Sequence, residues 1–297
     1  MLPDFFVIGA QKAGSTYLLE CLGEHPEIFM PPAEVAFFED PLYDPAWLDW
    51  FEQHFDPAQP GQVIGVKRPN LLGLPECPAR LAEHMPELKL VVVLRSPVER
   101  AISAYFHYMK TGLLPLAPLE VGMPRIMRGD VSGYPRASEV LEFGLYARGL
   151  ASYDEHFPAD RILVTLLDDF RGDSGDALAE AYRFVGVSPD YRPQAISRRP
   201  MGASYSLTRL RLWNAVDRWC RRWTPDRRNF DRPKGLITTP LIKLNQVLDE
   251  YAWKKLLPAK RPQPSPALQS ALVDYYRDDL EQLENRLGRD LAAWRDN

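Results

Sequence analysis

The segment GAQKAGST near the amino terminus combines glycines, hydroxyl side chains and a lysine in the manner of an anion-binding loop. Gly9 and Gly14 permit backbone conformations that point successive N–H groups inward, and a helix starting near Ser15 adds its positive dipole end. Thr16 adds a second hydroxyl donor, and Lys12 would reach the outer part of the anion. The loop matches a nucleotide-triphosphate loop except that Ser15 replaces the lysine expected after Gly14. These residues indicate an oxygen-rich anion without a β,γ-phosphate pair; a glycine-containing turn without a ligand is the alternative.

A second candidate anion site lies in the segment VVVLRSPVERAISAY. Ser96, Pro97 and Glu99 have the pattern of a helix start, with an N-cap, a proline at the first helical position and a capping box. This start places Arg95 at the carboxyl end of a buried strand, where open α/β sheets bind ligands. Ser103 follows about two helical turns later on the same face, so one phosphate would meet both side chains. For an isolated arginine, pairing with a carboxylate is the competing interpretation.

The elements that would position these residues are continuous apolar runs that alternate with helical patterns. Continuous rather than alternating hydrophobicity is typical of parallel strands covered by helices on both faces. The pattern therefore predicts an α/β fold with a doubly wound parallel sheet flanked by helices. The predicted strands are 5–8, 63–66, 88–94 and 161–167, and the predicted helices are 15–23, 46–54, 78–85, 97–110, 146–157 and 175–186.

Bulk composition argues against several classes of protein. The net charge of −4 gives no overall attraction to nucleic acid or anionic membranes, so any anion site must be local. Three widely spaced cysteines and five histidines without ligand spacing predict neither a disulfide framework nor a metal site. No apolar run approaches the roughly 18 residues of a membrane span, and no signal-peptide pattern is present. We expect a cytoplasmic protein, or one trimmed of an anchor, with no nucleic-acid partner.

Two motifs, in order, resemble the sulfotransferase family that uses 3′-phosphoadenosine 5′-phosphosulfate (PAPS). The segment IGAQKAGSTYLLECLGEHPEI, followed by EVAFFED, is similar to that family's phosphosulfate loop, and LVVVLRSPVERAISAYFHY is similar to its 3′-phosphate motif. The likeness covers residues 4–190, resumes at LENRLGRDLAAW, and is greatest for the carbohydrate branch that includes heparan sulfate sulfotransferases. It implies a soluble, bacterial-type member with a P-loop-containing fold, PAPS as co-substrate, adenosine 3′,5′-bisphosphate (PAP) as product, and no metal.

The resemblance also implies roles for individual residues. Glu34, within EVAFF, corresponds to the general base, and Lys67, within VKRP, to a second lysine near the sulfonate. Ala36 stands where the heparan-type motif commonly has histidine, and Glu39 is the acid after Phe-Phe, so acceptor contacts are expected to differ and heparan itself is disfavoured. The implied nucleotide contacts are Gln11, Lys12, Ala13, Gly14, Ser15 and Thr16 for the phosphosulfate, Arg95 and Ser103 for the 3′-phosphate, and Arg198, Arg199 and Gly202 for a late loop.

The implied reaction matches these residue types. A sulfuryl group carries one fewer negative charge than a phosphoryl group, so an attacking oxygen meets less repulsion and no bridging metal is required. Lys12 would neutralise the charge that builds on the oxygen between phosphorus and sulfur. Glu34 would take the proton of an acceptor hydroxyl during in-line attack, and burial beside Phe37 and Phe38 would desolvate it.

The chain is expected to be a single domain with three parts. These are an α/β core at 1–190, a basic, Trp-rich helical insertion at 191–265 and a carboxyl-terminal helix at 266–297. The helix is expected to end near Gly288, because glycine commonly terminates helices.

The insertion carries no strand pattern and is locally basic, with eleven Lys or Arg against three Asp between Arg198 and Lys234. The expected structure is a helix with a charged, solvated face and a packed apolar face. That apolar face would comprise Leu212, Trp213, Val216, Trp219 and Trp223. Binding of an anionic acceptor and peripheral membrane contact through 205–234 are the alternatives.

Two other functions compete with sulfuryl transfer. A P-loop kinase or NTPase is supported by the loop shape and by Asp168, which could pass for a strand-end magnesium ligand. The missing lysine after Gly14 argues against it. A non-catalytic nucleotide-binding protein is the other alternative. The expected acceptor is a hydroxyl, with an amine as second candidate, of a saccharide or of a glycosylated or lipidic metabolite. The identity of the acceptor stays open, because acceptor-binding loops carry no transferable pattern.

Overall fold

The computed structural model describes residues 1–170, 175–197, 205–225, 228, 230–231 and 235–295 of the 297-residue chain. Its strands are β1 (Phe5–Gly9), β2 (Ile28–Phe29), β3 (Val63–Lys67), β4 (Lys89–Leu94), β5 (Ile162–Leu166), β6 (Arg222–Trp223) and β7 (Phe230–Asp231). Its α-helices are α1 (Ser15–Gly23), α2 (Leu48–Glu52), α3 (Cys77–His84), α4 (Pro97–Thr111), α5 (Leu119–Met127), α6 (Glu139–Glu142), α7 (Tyr146–Asp154), α8 (Gly175–Val185), α9 (Leu207–Cys220), α10 (Thr238–Val247), α11 (Lys254–Leu256) and α12 (Pro266–Leu287).

The chain divides into two compact units. The first contains the described residues of 1–100, 143–201 and 276–296, and the second contains those of 101–142 and 202–275. Two of the boundaries fall inside α4 and α12, so each of these helices contributes residues to both units.

A parallel five-stranded sheet, in the order β2-β3-β1-β4-β5, organises the first unit. The direction of strand succession reverses next to β1, since β2 and β3 lie on one side of it and β4 and β5 on the other. In open α/β sheets ligands bind at the carboxyl ends of the strands near such a reversal. The loop after β1, the last residue of β3 and the residue after β4 all lie at this edge.

The core of the first unit explains why β1 is held firmly. Phe5, Val7, Leu18 and Leu22 are fully buried, and Val91 of the adjoining β4 packs into the same cluster. Burying one such side chain stabilises the fold by about 1.5–3 kcal/mol. The loop that follows β1 is thus anchored on both sides, by a buried strand and by the buried face of α1.

The predicted α/β class and parallel sheet are confirmed. The four predicted strands are present within one residue at each end, and helices are present at the predicted positions, although 46–54 contains α2 between two 3₁₀ turns. The short edge strand β2 was not predicted, because two residues carry no recognisable period. The helices α5 and α6 were also missed.

The second unit departs from expectation in two respects. The segment after 190 was expected to lack strands, yet β6 and β7 pair antiparallel as two-residue strands that are too short to show a pattern. The expected packed face of α9 is wrong for Leu212 and Trp219, which are exposed. Leu210, Asp217 and Cys220 are buried instead. Hydrophobicity did not identify this face because Asp217 is buried through its ion pair with Arg221.

The carboxyl-terminal helix α12 ends at Leu287, directly before Gly288, whose φ of 60° is the left-handed conformation that terminates helices. Among the described residues, no helix combines the length and apolar character needed to cross a membrane. The cytoplasmic location and the division at residues 190 and 265 stay predictions.

Candidate active site

The loop between β1 and α1 has the backbone of an anion cradle. Lys12 and Gly14 adopt left-handed conformations with φ of 68° and 95°, and Gly14 is the N-cap of α1. The φ of 95° disfavours any residue with a side chain at Gly14, and a Cβ atom there would lie 2.5 Å from Leu167 Cδ1, so that the leucine side chain would have to move. The first turn of α1, all of which the structure describes, contains no acidic residue, so its positive end is open to an anion.

The side chains of this loop divide into supporting and outward-facing groups. Ala13 and Ser15 are buried, and the buried Gln11 donates through Nε2 to Asn70 Oδ1 at 3.0 Å. Thr16 is exposed at the beginning of α1. The residues present therefore fit a phosphate-like group, with N–H donors from the loop and a hydroxyl beside it.

Lys67 links this loop to the candidate base. Its ammonium donates to Thr16 Oγ1 at 3.0 Å and forms an ion pair with Glu34 Oε1 at 3.0 Å. The Lys67 side chain is only 7% exposed, so its position is constrained by packing. The structure thus brings together three predicted site residues that are separated in sequence by up to 51 positions.

Arg68 is the neighbour of Lys67 that sequence analysis missed. It pairs through one guanidinium nitrogen with Glu34 Oε2 at 3.0 Å, and its Nε donates to Glu39 Oε1 at 2.6 Å. Glu39 is buried, so Arg68 is tied to a fixed carboxylate on one side and to Glu34 on the other. The sequence did contain a signal for this contact, because Arg68 directly follows Lys67 and two glutamates, Glu34 and Glu39, precede them.

The expected burial of Glu34 by aromatic rings is wrong. The Glu34 side chain is 34% exposed, whereas Phe37 and Phe38 turn into the core. Phe37 stacks on Phe51 with ring centroids 5.1 Å apart, and Phe38 meets Phe51 edge-on at 5.2 Å. The two rings anchor the segment that carries Glu34, and the cations Lys67 and Arg68 orient its carboxylate.

Arg95 lies at the predicted sheet edge and approaches the anion loop. Its guanidinium donates to the backbone carbonyl of Lys12 at 3.3 Å and forms an ion pair with Glu99, one helical turn later. The competing interpretation, pairing with a carboxylate, is therefore present in this structure. Ser96 caps α4 as predicted, accepting from Glu99 N at 3.4 Å.

A comparison with known families shows which family the chain belongs to. The sequence model of the sulfotransferase domain family matches residues 2–199, which is two thirds of the chain. The chain belongs to the sulfotransferase family. The predicted family membership is confirmed, and the matched range includes the anion loop, Glu34, Lys67 and Arg95.

Individual sulfotransferases show how far the likeness extends. Human heparan sulfate glucosamine 3-O-sulfotransferase 3B1 is 30% identical over 187 residues, covering 63% of this chain and 46% of its own. Human bifunctional heparan sulfate N-deacetylase/N-sulfotransferase 3 is 28% identical over 320 aligned positions, covering 99% of this chain and 31% of its own. The chain thus spans less than half the length of these curated relatives.

A solved sulfotransferase structure supports the fold. The sulfotransferase from Alicyclobacillus acidocaldarius superposes with a TM-score of 0.69 at 22% identity, and 99% of each chain is covered. At this identity the likeness extends to architecture alone, and it agrees with the parallel sheet and its flanking helices.

The other predicted nucleotide contacts of this sulfotransferase are Ser103, Arg198, Arg199 and Gly202. Ser103 lies on α4 within the second unit and is buried. Arg198, Arg199 and Gly202 lie outside the described residues. Their assignment to the nucleotide stays a prediction.

Two acidic residues, Asp168 and Asp169, follow β5, and Asp169 is held by hydrogen bonds within the fold. In the described part of the chain, no three His, Cys, Asp or Glu side chains are grouped as metal ligands. Asp168 is exposed, and Asp169 accepts from both terminal nitrogens of Arg289 at 2.7 Å and from Leu166 N at 2.9 Å. The Arg289 hydrogen bonds hold the pKa of Asp169 below its usual value.

The pairing of Asp169 predicts a pH-dependent contribution to stability. A carboxyl whose folded-state pKa is depressed stabilises the protein above its unfolded pKa of about 3.9 and loses that contribution as pH falls through the folded value. Asp169→Asn is expected to cost about 1 kcal/mol at pH 7, because the pair is partly exposed. The difference in Tm from the unaltered chain should shrink as pH falls below the unfolded pKa and disappear once pH is below the depressed folded-state pKa of Asp169.

Thermal melts from neutral to acid pH test this expectation, with Asp160→Asn as a control at an exposed acid before β5. A deficit in Tm that persists unchanged in acid would contradict it.

Proposed function

We propose that this chain is an enzyme that transfers a sulfuryl group from PAPS to a hydroxyl of a saccharide or of a glycosylated or lipidic metabolite, with an amine as second candidate. The observation that carries the proposal is the position of Lys67, 3.0 Å from both Thr16 Oγ1 and Glu34 Oε1. One buried cation thereby joins an anion loop to a carboxylate. The names of the relatives, which include 3-O- and N-sulfotransferases, support a saccharide acceptor.

The anion loop is proposed to hold the phosphosulfate end of PAPS. Its left-handed Gly14 and the N–H groups at the start of α1 suit a tetrahedral anion, and Ser15 and Thr16 carry hydroxyls beside it. Arg95 is proposed to bind the 3′-phosphate, exchanging its present partner Glu99 for the ligand. Ser103, Arg198, Arg199 and Gly202 complete the proposed nucleotide contacts.

When bound, PAPS supplies an activated sulfuryl group and leaves PAP as product. Glu34 accepts the proton of the acceptor hydroxyl as the oxygen attacks sulfur. Lys12 places positive charge where the oxygen between phosphorus and sulfur gains electrons, and Lys67 stabilises the sulfonate as it moves. Arg68, held by the buried Glu39, is a positioning residue that keeps the second oxygen of Glu34 in place.

The family match favours this reaction over that of a P-loop kinase. The acceptor is proposed to differ from heparan because Ala36 replaces the histidine of the heparan-type motif.

Calorimetric titration of the chain with PAP and with Mg·ATP tests the nucleotide. We expect binding of PAP and little or none of Mg·ATP, because the loop lacks the lysine that grips β,γ-phosphates. Preference for Mg·ATP would contradict the proposal and restore the kinase alternative.

An acceptor screen with PAPS, read as the mass gain of one SO3 group, tests the reaction and its substrate. The panel should contain mono- and oligosaccharides, glycosylated metabolites and lipid alcohols, each with an amine counterpart. Tight PAP binding with no transfer to any member would favour the non-catalytic alternative.

A further inference from the structure

The second unit contains a helical segment that buries polar side chains and exposes several apolar ones. α10 continues through a π-helical turn, Leu248–Trp253, into α11, so that residues 238–256 form one uninterrupted helical segment. Its buried positions are polar, Asn245 and Asp249. A surface helix of a globular protein normally buries its apolar side chains and exposes its polar ones. Here Leu244, Val247, Tyr251 and Leu256 are exposed, whereas Leu241, Ile242 and Trp253 are partly buried.

The buried polar residues are satisfied by the neighbouring helix α9. Asn245 donates to the Trp213 carbonyl at 3.2 Å, and Asp249 pairs with Arg209 Nε at 2.8 Å. Asp249 also lies 3.5 Å from Lys110 Nζ. These contacts hold the segment antiparallel to α9 through hydrogen bonds and ion pairs. The exposed apolar side chains of the segment are therefore available to contact another surface.

We call this set the apolar surface. It comprises Leu236, Ile237, Leu244, Val247, Tyr251 and Leu256, with Trp219 from α9. Ile237 is 78% exposed, Tyr251 68% and Trp219 76%. Leu244, Val247 and Tyr251 are separated by three and then four positions, a spacing that puts side chains on one side of a helix. Seven large apolar side chains in water call for a covering surface.

The charged residues near the apolar surface indicate the chemistry of the surface that would cover it. Between 236 and 261 there are five Lys or Arg and two acids, although the whole chain carries a net charge of −4. Of the two acids, Asp249 is buried in its ion pairs and Glu250 pairs with Lys254. Apart from Lys254, which pairs with Glu250, the exposed cations near the apolar surface in sequence are Lys243, Lys255 and Lys260, together with Arg211 and Arg218 of α9.

We propose that the apolar surface docks onto an anionic lipid surface, with the lysines and arginines contacting the headgroups. Helices that lie in a membrane interface combine an apolar stripe, which enters the acyl boundary, with cations that attract anionic lipid. Aromatic side chains such as Trp219 and Tyr251 favour that boundary. A second copy of the chain is less suited to cover the apolar surface, because a two-fold interface would bring the same cations close to each other.

The docking is independent of the proposed reaction, so its test measures binding. The full chain is sedimented with vesicles of phosphatidylcholine alone and with one third phosphatidylglycerol. We expect co-sedimentation only with the anionic vesicles, and release at about 0.5 M NaCl, where charges are screened within a few ångströms.

Three serine substitutions in the apolar surface, Leu244→Ser/Val247→Ser/Tyr251→Ser, should weaken vesicle binding about 10-fold or more, because binding scales with apolar area. The matched control is Leu42→Ser/Trp47→Ser/Val121→Ser, which changes three side chains of similar exposure elsewhere and should bind as the unaltered chain does. Lys243→Glu/Lys255→Glu should remove the preference for anionic lipid. All these positions are exposed, so melting curves close to that of the unaltered chain are expected.

Three results would overturn the proposal. They are absence of binding to anionic vesicles, equal binding by the apolar-surface variant, and equal loss in the matched control. Sedimentation velocity without lipid resolves the remaining alternative. If the unaltered chain does not bind vesicles and is a dimer, and the apolar-surface variant is a monomer, this surface would be assigned to contact with a second copy.

Discussion

Glu34→Gln is expected to lower kcat by about 10²–10⁴-fold, the usual contribution of a positioned general base. Glutamine keeps the shape of the side chain and an oxygen that can accept from Lys67, but it cannot take up the acceptor's proton. The Kd for PAP should be nearly unchanged, because Glu34 is 34% exposed and forms its ion pairs with Lys67 and Arg68.

The measurement is kcat with the best acceptor of the screen, beside calorimetric binding of PAP. Glu20→Gln is a matched control, since Glu20 is an exposed carboxylate on α1, the helix that begins at the anion loop. A Glu34→Gln enzyme with unaltered turnover would remove Glu34 from the role of base.

Lys67→Met should produce the second largest loss, about 10²–10³-fold in kcat, the effect of removing one preorganised electrostatic contact. Methionine fills much of the space of the lysine stem, and Glu34 keeps its pairing with Arg68, so no buried charge is left alone. Thr16 loses the hydrogen bond that Lys67 donates to its hydroxyl, and KM for PAPS should therefore rise as well.

Steady-state kinetics with PAPS and acceptor varied in turn separate these effects. Lys89→Met is the control, because Lys89 begins β4 at the opposite edge of the sheet, where its ammonium lies 5.9 Å from the Phe184 ring centroid. If Lys67→Met and Lys89→Met have the same kcat, Lys67 acts in structure and not in transfer.

The two predictions together distinguish base catalysis from charge stabilisation. Loss of a base flattens the acid limb of the pH–rate profile, whereas loss of a cation lowers the rate across the whole profile. Both results would leave PAP binding measurable, so a defect in transfer can be told from a loss of folding.

The hydrophobic pattern alone determined the α/β class, four of the five strands of the parallel sheet and the helix beginning at Ser15. Strand and helix periods arise from the local geometry of the backbone, so continuous apolar runs such as LKLVVVL are readable without tertiary contacts. The candidate anion loop was likewise recognisable, because the freedom of Gly9 and Gly14 is a property of the residues themselves.

Only the tertiary structure decided how the candidate residues meet. Lys67 reaches Thr16 and Glu34 because β3 lies beside β1, a pairing across 60 residues that no local pattern encodes. The same holds for Arg68, whose partner Glu39 is fixed by burial of the neighbouring aromatic rings.

In the second unit, the sequence pattern does not identify which helix faces are buried. The helical period of residues 238–256 cannot tell which face is inward, and hydrophobicity indicates the wrong one for this segment and for α9. Asn245, Asp249 and Asp217 are buried because specific partners satisfy their polar atoms, and those partners are brought together only by the fold.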